Sequence, residues 1–444
     1  MTVGPDADRL AADADRLPAD ADRLPAIAAS LRRAAGRFGT PTYGTDIATL
    51  DASATAVSAA FPDPWLRHYS VKANDVAAIV GLVAERGFGA NVVSRGEWQV
   101  ARRAGLPNER ITLEGIGKTD ADLRAAVASA RDGRPPRWVA IESVDEATAL
   151  AAIAGRSPRA RLDVLFRLNP DVAPETHSGL AVGAGGSKFG MTETELTAAV
   201  EALTEGGDAA GLRPRGIHLH VGSQLGAVDA WRDAARRGLA LLALVRGNLA
   251  DFDTLDFGGG FPVGSVDGAV PDPARFAREL PPLLEAIPED RRPRRLAIEP
   301  GRYLVARAGW LLARVLHVRE RGGRQIVIDA GMTELIRPAL YGAYHGIVAL
   351  TSLGRPFEPW AGGAHPSLEP AWVEGPICES TDALGEHPLP AVRRGDLVAI
   401  REAGAYAASL GSTYNGRPRP PQVLLAADGR LILARRRGSL GSLG

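Results

Sequence analysis

One lysine stands between a β-prone run and a helical stretch in the segment His68–Asn74, which reads HYSVKAN. Tyr69 and Val71 favour a strand, so we expect Lys72 at the C-terminal end of a short buried strand. Arginine supplies nearly all of the basic residues, and a lysine here therefore indicates a need for its amine. A desolvated lysine can lose its proton and bond covalently to an aldehyde, whereas arginine can do neither. A strand-end lysine that merely extends its ammonium group to solvent would explain the segment equally well.

Polar and glycine-rich segments also follow several later β-prone runs. They are Asn91, Ser94–Glu97, Arg167–Asn169, His218–Gln224, Gly258–Gly260 and Glu299–Arg302. Three consecutive glycines after a strand can leave backbone N–H groups for a phosphate, and Arg302 and Ser223 could complete the ring of donors. A lone glycine triplet is usually a tight turn, but the arginine and the serine favour an anion site here.

The elements that must position these residues form a regular alternation from about Thr42 to about residue 305. Eight β-prone runs alternate there with longer, alanine-rich helical stretches: Tyr69–Lys72, Val92–Val93, Ile111–Leu113, Val139–Ile141, Leu162–Leu168, Gly216–Val221, Thr254–Phe257 and Leu296–Glu299. No dinucleotide-binding fingerprint or switch point is present, so the pattern predicts an α/β fold with a (β/α)8 TIM-like barrel. Chemistry in such barrels gathers at the C-terminal ends of the strands.

After Arg307 the pattern changes to strand, turn, strand. The expected strands are Leu311–Val318, Gln325–Asp329, Ile347–Leu350, Ala371–Glu374, Asp396–Arg401 and Gln422–Ala426. Their spacing predicts a C-terminal all-β domain.

A lysine amine, a phosphate site, a histidine and a buried carboxylate in one barrel mouth point to pyridoxal 5′-phosphate. Lys72 would hold its aldehyde, and Glu299 would keep its pyridine nitrogen protonated so that the ring can accept electrons. His220 could lie flat on the ring. A lone histidine is more often a satisfied core residue, but the position of His220 just before Gly222 and Ser223 favours the functional interpretation.

Composition narrows the class of protein. The chain has 444 residues, 45% of them hydrophobic, which is enough for a large core and more than one domain. Its formal net charge is zero and it has no basic block, which argues against nucleic acid or a membrane as partner. The single cysteine, Cys378, excludes an intramolecular disulfide and fits a reducing cytoplasm. No apolar run is long enough to span a membrane, and we predict no metal requirement.

The order of these motifs resembles that of the fold-type III pyridoxal-phosphate decarboxylases, the family of diaminopimelate, ornithine and arginine decarboxylases, over about residues 38–426. The resemblance implies a barrel of the alanine racemase type at 48–306, and a β domain formed by 27–47 and 307–436. A repetitive tail at 1–26, interrupted by Pro18 and Pro25, and a tail at 437–444 are expected to be disordered.

The same resemblance implies roles for individual residues. Lys72 corresponds to the lysine bound to the cofactor, His220 to the ring-stacking residue and Glu299 to the partner of the pyridine nitrogen. The phosphate site would comprise Ser223, Gly258, Gly259, Gly260 and Arg302. Further cofactor contacts are expected from Asn91, Arg167, Gly301 and Tyr406.

The family also suggests how the second domain contributes. In the family, the segments that correspond to Val373–Asp382 and Gly404–Tyr406 reach the active site of the other subunit, which implies a homodimer. Loss of CO2 leaves a carbanion, and the thiol of Cys378 could deliver the proton that quenches it. A lone cysteine is ordinarily a small buried hydrophobe, but Cys378 lies in a polar loop beside Glu379.

The segment Asp329–His345 bears on the substrate, an amino acid. It resembles the stretch of diaminopimelate decarboxylases whose arginine and tyrosine bind the distal carboxylate of the substrate. The resemblance implies this role for Arg337 and Tyr341. Glu379 would meet the distal ammonium group, and Arg302 and Tyr406 would also contact substrate. The leading hypothesis is decarboxylation of meso-2,6-diaminopimelate to L-lysine. Alternatively, Arg337 forms a salt bridge with a neighbour and Tyr341 packs in a dimer interface.

Several departures from the family pattern leave other hypotheses open. Asn91 stands where the family commonly has aspartate, and Glu114–Gly117, Thr333–Glu334 and Gly342 also differ. Such changes fit a paralogous decarboxylase of another amino acid or conjugate with a distal carboxylate or amide, in a natural-product or siderophore pathway. A catalytically silent cofactor-binding homologue and a racemase are also conceivable, but the former would need neither Lys72 nor a proton donor.

Overall fold

The computed structural model describes residues 23–184, 186–204, 211–264, 270–358 and 367–442. Contacts divide the chain into two compact units. The β unit comprises Met1–Ser53, Val263–Ala269 and Leu304–Gly444, and the barrel unit comprises Ala54–Pro262 and Val270–Tyr303. These divisions lie a few residues from the predicted boundaries at 48 and 306.

The described residues form the following strands and helices. The strands are β1 (Thr42–Asp46), β2 (Leu66–Ser70), β3 (Gly89–Val92), β4 (Ile111–Leu113), β5 (Trp138–Ile141), β6 (Leu162–Leu168), β7 (Leu212–Leu219), β8 (Thr254–Asp256), β9 (Arg295–Ile298), β10 (Gly309–Glu320), β11 (Arg324–Ile328), β12 (Ile347–Ala349), β13 (Thr351–Ser352), β14 (Arg355–Pro356), β15 (Glu369–Glu374), β16 (Ala383–Leu389), β17 (Leu397–Ile400), β18 (Gln422–Leu425) and β19 (Leu431–Arg435). The α-helices are α1 (Leu24–Phe38), α2 (Ile47–Ala60), α3 (Ala77–Glu85), α4 (Arg95–Arg103), α5 (Asp120–Arg131), α6 (Val144–Gly155), α7 (Glu193–Thr204), α8 (Asp229–Arg246), α9 (Pro273–Ala277), α10 (Leu280–Glu285), α11 (Arg302–Val305) and α12 (Arg337–Tyr341).

Strands β2 to β9 form a closed parallel barrel in chain order. The barrel closes where β9 pairs with β2, with Leu66 opposite Ala297 and Arg67 opposite Ile298. The predicted α/β barrel is therefore confirmed, and each of the eight expected runs overlaps one of its strands. The strands are short and largely buried, as expected for a parallel sheet covered on both faces.

Helices α4, α5 and α6 of the barrel unit begin with side-chain caps directly after a strand or its loop. Ser94, Thr119 and Ser143 accept hydrogen bonds from the backbone N–H groups three residues later, at 3.2, 3.4 and 3.1 Å. These bonds satisfy N–H groups that the helix itself cannot pair. They fix the start of α4, α5 and α6 at the C-terminal edge of the barrel, where the polar residues lie.

The β unit is a nine-stranded sheet in its described part, with the order β16-β15-β11-β10-β1-β18-β19 and with β17 joining β10 to β12. Alternate residues of β10 enter different cores: Leu311 and Ala313 pack on one face, and Trp310 and Leu312 on the other. This alternation follows from the two-residue period of a strand. Helix α1 covers the second face with Leu24, Ile27 and Leu31, among other residues.

Two predictions need correction. Lys72 lies not in β2 but in a 3-10 turn, Val71–Ala73, directly after it. The predicted disordered tail at 1–26 is wrong for 24–26: Leu24 is buried and begins α1, because Pro25 falls in the first turn, where its missing N–H is not needed. The predicted all-β C-terminal region is confirmed by strands β10 to β19, and the unit that holds it also contains α1 and α12.

The two predicted tails are only partly within the described residues. Residues 1–22 and 443–444 lie outside them. At the C-terminal end, Arg437 donates to the carbonyls of Phe38 and Pro41 at 3.1 and 2.8 Å, and Leu440–Ser442 form a 3-10 turn. Arg437 is therefore anchored, in contrast to the prediction for 437–444. Among the described residues, no helix is long and apolar enough to cross a membrane.

Gly404 is expected to be irreplaceable in the β unit. An alanine Cβ there would lie 1.8 Å from the carbonyl oxygen of Val305. Backbone atoms cannot yield easily, so Gly404→Ala should destabilise the protein by about 2 kcal/mol or more. In contrast, Gly36 is exposed in α1 with nothing near its Cβ position, so Gly36→Ala should stabilise by about 0.5–1 kcal/mol. Urea unfolding midpoints would test both, and a Gly404→Ala midpoint equal to that of the parent would contradict the packing described here.

Candidate active site

The predicted site residues fall into two groups, each within one unit. The barrel unit holds Lys72, Asn91, Arg167, His220, Ser223, Gly258, Gly259, Gly260, Glu299, Gly301 and Arg302. The β unit holds Arg337, Tyr341, Cys378, Glu379 and Tyr406.

The turn that carries Lys72 packs against the segment after β9. The backbone N–H of Ser70 donates to the carbonyl of Pro300 at 3.2 Å, and the Ser70 hydroxyl donates to the carbonyl of Glu299 at 3.1 Å. Gly301 allows this approach, because an added Cβ would lie 3.0 Å from the Cβ of Ser70. These contacts bring the backbones that carry Lys72 and Glu299 together.

The charge of Lys72 acts on the ionisable side chains of Glu97, His218 and His220. Burial raises the pKa of Glu97, and the N–H of Val93 and the charge of Lys72 oppose that shift. The Glu97 carboxylate accepts the Val93 N–H at 2.9 Å. Burial lowers the pKa of His220 well below its usual value, and Lys72 adds to the effect.

His220 is held as a neutral ring with a defined tautomer. Its Nδ1 accepts the backbone N–H of Gly259 at 3.2 Å, so Nε2 carries the ring proton. A neutral imidazole fixed by its edge suits the predicted role of stacking on an aromatic ring.

The phosphate site has fewer backbone donors than the sequence suggested. The N–H of Gly258 donates to Oδ1 of Asp256 at 2.9 Å, and the N–H of Gly259 donates to His220. Glycine is required at 258 for another reason: φ is +69°, and a Cβ would lie 2.2 Å from the carbonyl oxygen of Leu219.

Gly260 and two side chains lie together at the predicted phosphate site. The N–H of Leu225 donates to the carbonyl of Gly260 at 3.2 Å, which joins the glycine segment to the loop of Ser223. The guanidinium of Arg302 donates to the Ser223 hydroxyl at 3.0 Å from Nη2. A serine, an arginine and a glycine N–H are suitable donors for a phosphate.

Asn91 bridges two buried carboxyl groups. Its Nδ2 donates to Oε2 of Glu114 at 2.8 Å and also to Oε1 of Glu299. Glu114 and Glu299 are 2% and 4% exposed, so neither group can rely on water for its hydrogen bonds. An aspartate at 91 could not supply these two N–H donors.

In the cluster of Glu114, His218 and Glu299, burial disfavours the charged forms of Glu114 and His218. Burial, followed by the charge of Glu299, raises the pKa of Glu114 to about 8. Burial lowers the pKa of His218 to about 4, although its Nε2 lies 3.4 Å from carboxylate oxygens of both Glu114 and Glu299. At neutral pH Glu114 is therefore a neutral acid and His218 a neutral imidazole.

Glu114, His218 and Glu299 place three ligand atoms within 4.8 Å of one another, a spacing that a metal ion could use. The amide of Asn91 already donates to both carboxyl groups. Their hydrogen bonding fits a neutral acid beside a carboxylate, and the absence of a metal requirement stays a prediction.

Other polar residues of the barrel are engaged within the protein. Arg167 forms a buried ion pair with Glu142 at 2.7 Å, and its guanidinium lies 5.0 Å from the ring centre of Phe189. Burial raises the pKa of Asp256 well above its usual value. A cofactor contact by Arg167 thus stays a prediction, and the contacts seen here hold Glu142.

In the β unit, a histidine orients Arg337. Nδ1 of His345 lies 3.0 Å from the carbonyl oxygen of Arg401, which can only accept, so Nδ1 carries the ring proton. Nε2 then accepts from Nη1 of Arg337 at 3.0 Å. Tyr341 follows four residues later on α12, so the two side chains share one helix face.

Cys378 and Glu379 are exposed on a loop whose backbone is fixed. Asp382 anchors that loop by accepting the N–H groups of Ile377 and Met332 at 2.7 and 2.5 Å. Tyr406 has φ +57°, an uncommon conformation for a bulky residue that costs on the order of 1–3 kcal/mol.

Sequence reasoning gave no role to several residues of this site. Glu114, Glu142 and Asp256 each stand at or directly after the C-terminal end of a barrel strand. Their position was therefore a usable signal. The pKa of each of these carboxyl groups is shifted by burial and by neighbours from other strands. The spacing of residues along the sequence does not show either effect.

Comparison with known proteins identifies the family. A family model described as "Pyridoxal-dependent decarboxylase, pyridoxal binding domain" matches residues 47–306. The diaminopimelate decarboxylase of Aquifex aeolicus is 35% identical over 411 residues, covering 92% of this chain and 91% of that protein. That of Deinococcus radiodurans is 36% identical over 408 residues, covering 92% and 96%. A crystal structure of diaminopimelate decarboxylase from Helicobacter pylori complexed with L-lysine matches with a TM-score of 0.79 at 30% identity, covering 91% and 95%.

The chain therefore belongs to the pyridoxal-dependent decarboxylases. It is an enzyme of the lyase class, and pyridoxal 5′-phosphate is its cofactor. The barrel site fits this group, because the buried Glu299 carboxylate contacts the Asn91 amide, the neutral His218 and the Glu114 carboxyl group, none of which is a cation. A protonated pyridine nitrogen would supply the positive charge that these neighbours lack.

Replacing Glu114 should change how stability depends on pH. Its folded-state pKa of about 8 lies above the ordinary value of 4.5, so the parent loses stability as pH rises from about 4.5 to about 8. Glu114→Gln keeps the shape and titrates no proton, so it should gain stability relative to the parent over that range, by on the order of 1–3 kcal/mol. Urea unfolding of the cofactor-free protein at several pH values would measure this. The exposed Glu109→Gln is the control, and a pH-independent difference for Glu114→Gln would contradict the assignment.

Restoring aspartate at position 91 should be harmful in this chain. Asn91→Asp would lose both bridging N–H donors and would add a carboxylate beside Glu114 and Glu299. We expect a loss of stability of about 3 kcal/mol or more, because an unpaired charge would be buried. Asn91→Ala, which adds no charge, should lose less, and the gap should widen with rising pH. Equal unfolding midpoints for Asn91→Asp and the parent would disprove the bridging role.

Proposed function

We propose that the protein decarboxylates meso-2,6-diaminopimelate to L-lysine and CO2, the last step of lysine biosynthesis. The observation that carries this proposal is the orientation of Arg337 by His345 on the helix that also holds Tyr341. It is supported by similarity to proteins named diaminopimelate decarboxylase across more than nine-tenths of the chain.

Arg337 suits a carboxylate at the far end of the substrate. A guanidinium fork can make two parallel, charge-assisted hydrogen bonds to one carboxylate. The hydrogen bond to His345 uses one nitrogen and limits the rotation of the fork. A substrate without the distal carboxylate would leave this site unsatisfied, and discrimination on the order of 10⁴ is expected when such a partner is missing.

Gly342 does not favour the alternative of a larger substrate. It ends α12 in the left-handed conformation, with φ +60° and ψ 23°, which glycine adopts at no steric cost. The residue is explained by the helix end, so it need not have been selected to enlarge a pocket.

The residues of the barrel unit would hold the cofactor as follows. Lys72 would bind its aldehyde through Nζ, Glu299 would bind its pyridine nitrogen, and Gly260, Ser223 and Arg302 would bind its phosphate. When bound, the cofactor supplies an electron-accepting ring that takes up the electron pair left by the departing carboxylate. Glu114 stays neutral at neutral pH, so the cluster carries no second buried negative charge there.

The β unit would supply the groups that handle the substrate. Glu379 would bind the distal ammonium group, while Arg337 and Tyr341 would bind the distal carboxylate. Cys378 would hold a proton at Sγ and deliver it to the carbon that has lost CO2. We propose a homodimer in which Cys378 of the partner subunit serves the barrel of the first. A cytoplasmic location, expected from the single cysteine, remains a prediction.

The direct test is CO2 release by the purified, cofactor-loaded protein offered meso-diaminopimelate, L-lysine, L-ornithine and L-arginine. We expect turnover of diaminopimelate alone, with L-lysine as product. Lys72→Ala should remove the visible absorbance of the lysine-bound cofactor. If the parent shows that absorbance but turns over none of the four substrates, a specialised decarboxylase of another amino acid with a distal carboxylate becomes the better assignment.

A variant of Arg337 tests the specificity argument. Arg337→Lys keeps the charge but loses the fork, so kcat/KM for diaminopimelate should fall about 30- to 100-fold. The matched control is Arg319→Lys, which changes an exposed arginine of β10 and should leave kcat/KM unchanged. An unchanged kcat/KM for Arg337→Lys would exclude Arg337 from the substrate site.

A further inference from the structure

Two adjacent residues of one loop contact two adjacent residues of another within the β unit. Nδ2 of Asn415 donates to Sγ of Cys378 at 3.4 Å, and the hydroxyl of Tyr414 donates to Oε1 of Glu379 at 2.7 Å. These contacts are made at the two atoms to which proton delivery and ammonium binding are assigned above.

The backbone under Cys378 and Glu379 is held independently of these contacts. The Asp382 carboxylate accepts the N–H of Ile377, and the N–H of Gly375 donates to the carbonyl of Asp382 at 2.8 Å. A Cβ on Gly375 would lie 2.2 Å from an oxygen of that carboxylate. The position of the loop therefore depends on Asp382.

The side chains of Cys378 and Glu379, in contrast, are exposed. An exposed side chain samples several rotamers, and restricting it to one of them costs conformational entropy. Because packing does not restrict these two side chains, contacts at their ends must do so. Asn415 and Tyr414 make such contacts.

The conformation of Asn415 explains why its amide faces the thiol loop. Its φ is +57° and its ψ is 25°, within the 3-10 turn Tyr414–Gly416. This left-handed conformation is uncommon for residues other than glycine, and asparagine is among those that accept it best. A donor side chain in this conformation is thus placed beside Cys378 by the turn.

Each contact also suits the chemistry of the group that it touches. A thiol that gives up its proton becomes an anion, and an amide N–H donated to sulfur stabilises that anion. A carboxylate has more acceptor sites than one hydroxyl can fill, so Glu379 can hold Tyr414 and a cation together. The hydrogen bond to Glu379 raises the pKa of Tyr414, so its hydroxyl remains a donor.

We propose that Asn415 and Tyr414 are positioning residues of the reaction: Asn415 orients the thiol of Cys378 and stabilises its anion, and Tyr414 orients the carboxylate of Glu379 toward the substrate ammonium group. This inference rests on the proposed function for the roles of Cys378 and Glu379. The two contacts are separate, so they predict different defects when each is removed.

The thiol contact can be tested without turnover, because Cys378 is the only cysteine of the chain. The cofactor-loaded protein would be alkylated with iodoacetamide from about pH 6 to about pH 10, and the modified fraction followed by mass spectrometry. Asn415→Gly keeps the left-handed turn accessible but removes the amide. It should move the midpoint of the alkylation profile to higher pH and slow alkylation near neutral pH about five-fold, the size expected for one hydrogen bond.

Steady-state kinetics separate the two contacts. Asn415→Gly should lower kcat for diaminopimelate several-fold with KM little changed, because proton delivery is affected. Tyr414→Phe removes only the hydroxyl and should raise KM about ten-fold with kcat little changed, and it should leave the alkylation profile as in the parent. Each variant is therefore the control for the other.

The outcomes distinguish this inference from the proposed function. If the parent releases no CO2 from diaminopimelate, the proposed function fails, whereas the alkylation profiles still report on the contact between Asn415 and Cys378. Identical alkylation profiles for the parent and Asn415→Gly would overturn the role of Asn415. If both variants show the same fall in kcat and the same rise in KM, the loop as a whole is disturbed. That result would overturn the separate roles of Asn415 and Tyr414.

Discussion

The closure of the barrel is the constraint on which the candidate site depends. Strand β2 pairs with β9, although more than two hundred residues separate them along the chain. Directly beyond this pairing, Ser70 bonds to the backbone of Glu299 and Pro300. The amine that would hold one side of the cofactor and the carboxylate that would hold its ring nitrogen therefore approach each other only when the last strand is in place.

Inside the closed barrel, several of the buried polar groups around Glu299 are neutral or paired. Arg167 neutralises Glu142, while burial keeps Glu114 protonated and His218 uncharged near neutral pH. Asn91 contributes N–H donors without adding charge. The identities of residues 91 and 114 are thus physically linked: an amide at 91 is compatible with two carboxyl groups around it, whereas a carboxylate would add a charge beside them.

The sequence predicted the barrel, its eight strands and the cofactor, because these depend on periodicity and on residues with distinctive chemistry, such as Lys72 and the glycine segment. It did not predict that Gly258 and Gly259 donate their N–H groups to Asp256 and His220. His220 follows a different strand, and the contact of Gly258 depends on the side chain of Asp256 turning toward its own segment. The prediction for Pro25 is wrong because proline interrupts a helix at an interior position but is favoured in the first turn. The sequence alone does not show which of the two positions Pro25 occupies. The sequence does not identify Asn415, because a single asparagine in a loop belongs to no recognisable sequence motif.

The sheet of the β unit has a consequence for synthesis of the chain. Strand β1, near the start, pairs with β10 and with β18, so an N-terminal strand lies between two C-terminal ones. During translation the barrel segments emerge long before Gln422–Leu425. Helix α1 and strand β1 therefore leave the ribosome with their apolar faces uncovered. Their partner strands β10 and β18 are synthesised only after the barrel segments. Such delayed, long-range pairing is slow and prone to aggregation, so nascent chains should need chaperones mainly for the segment that holds α1 and β1.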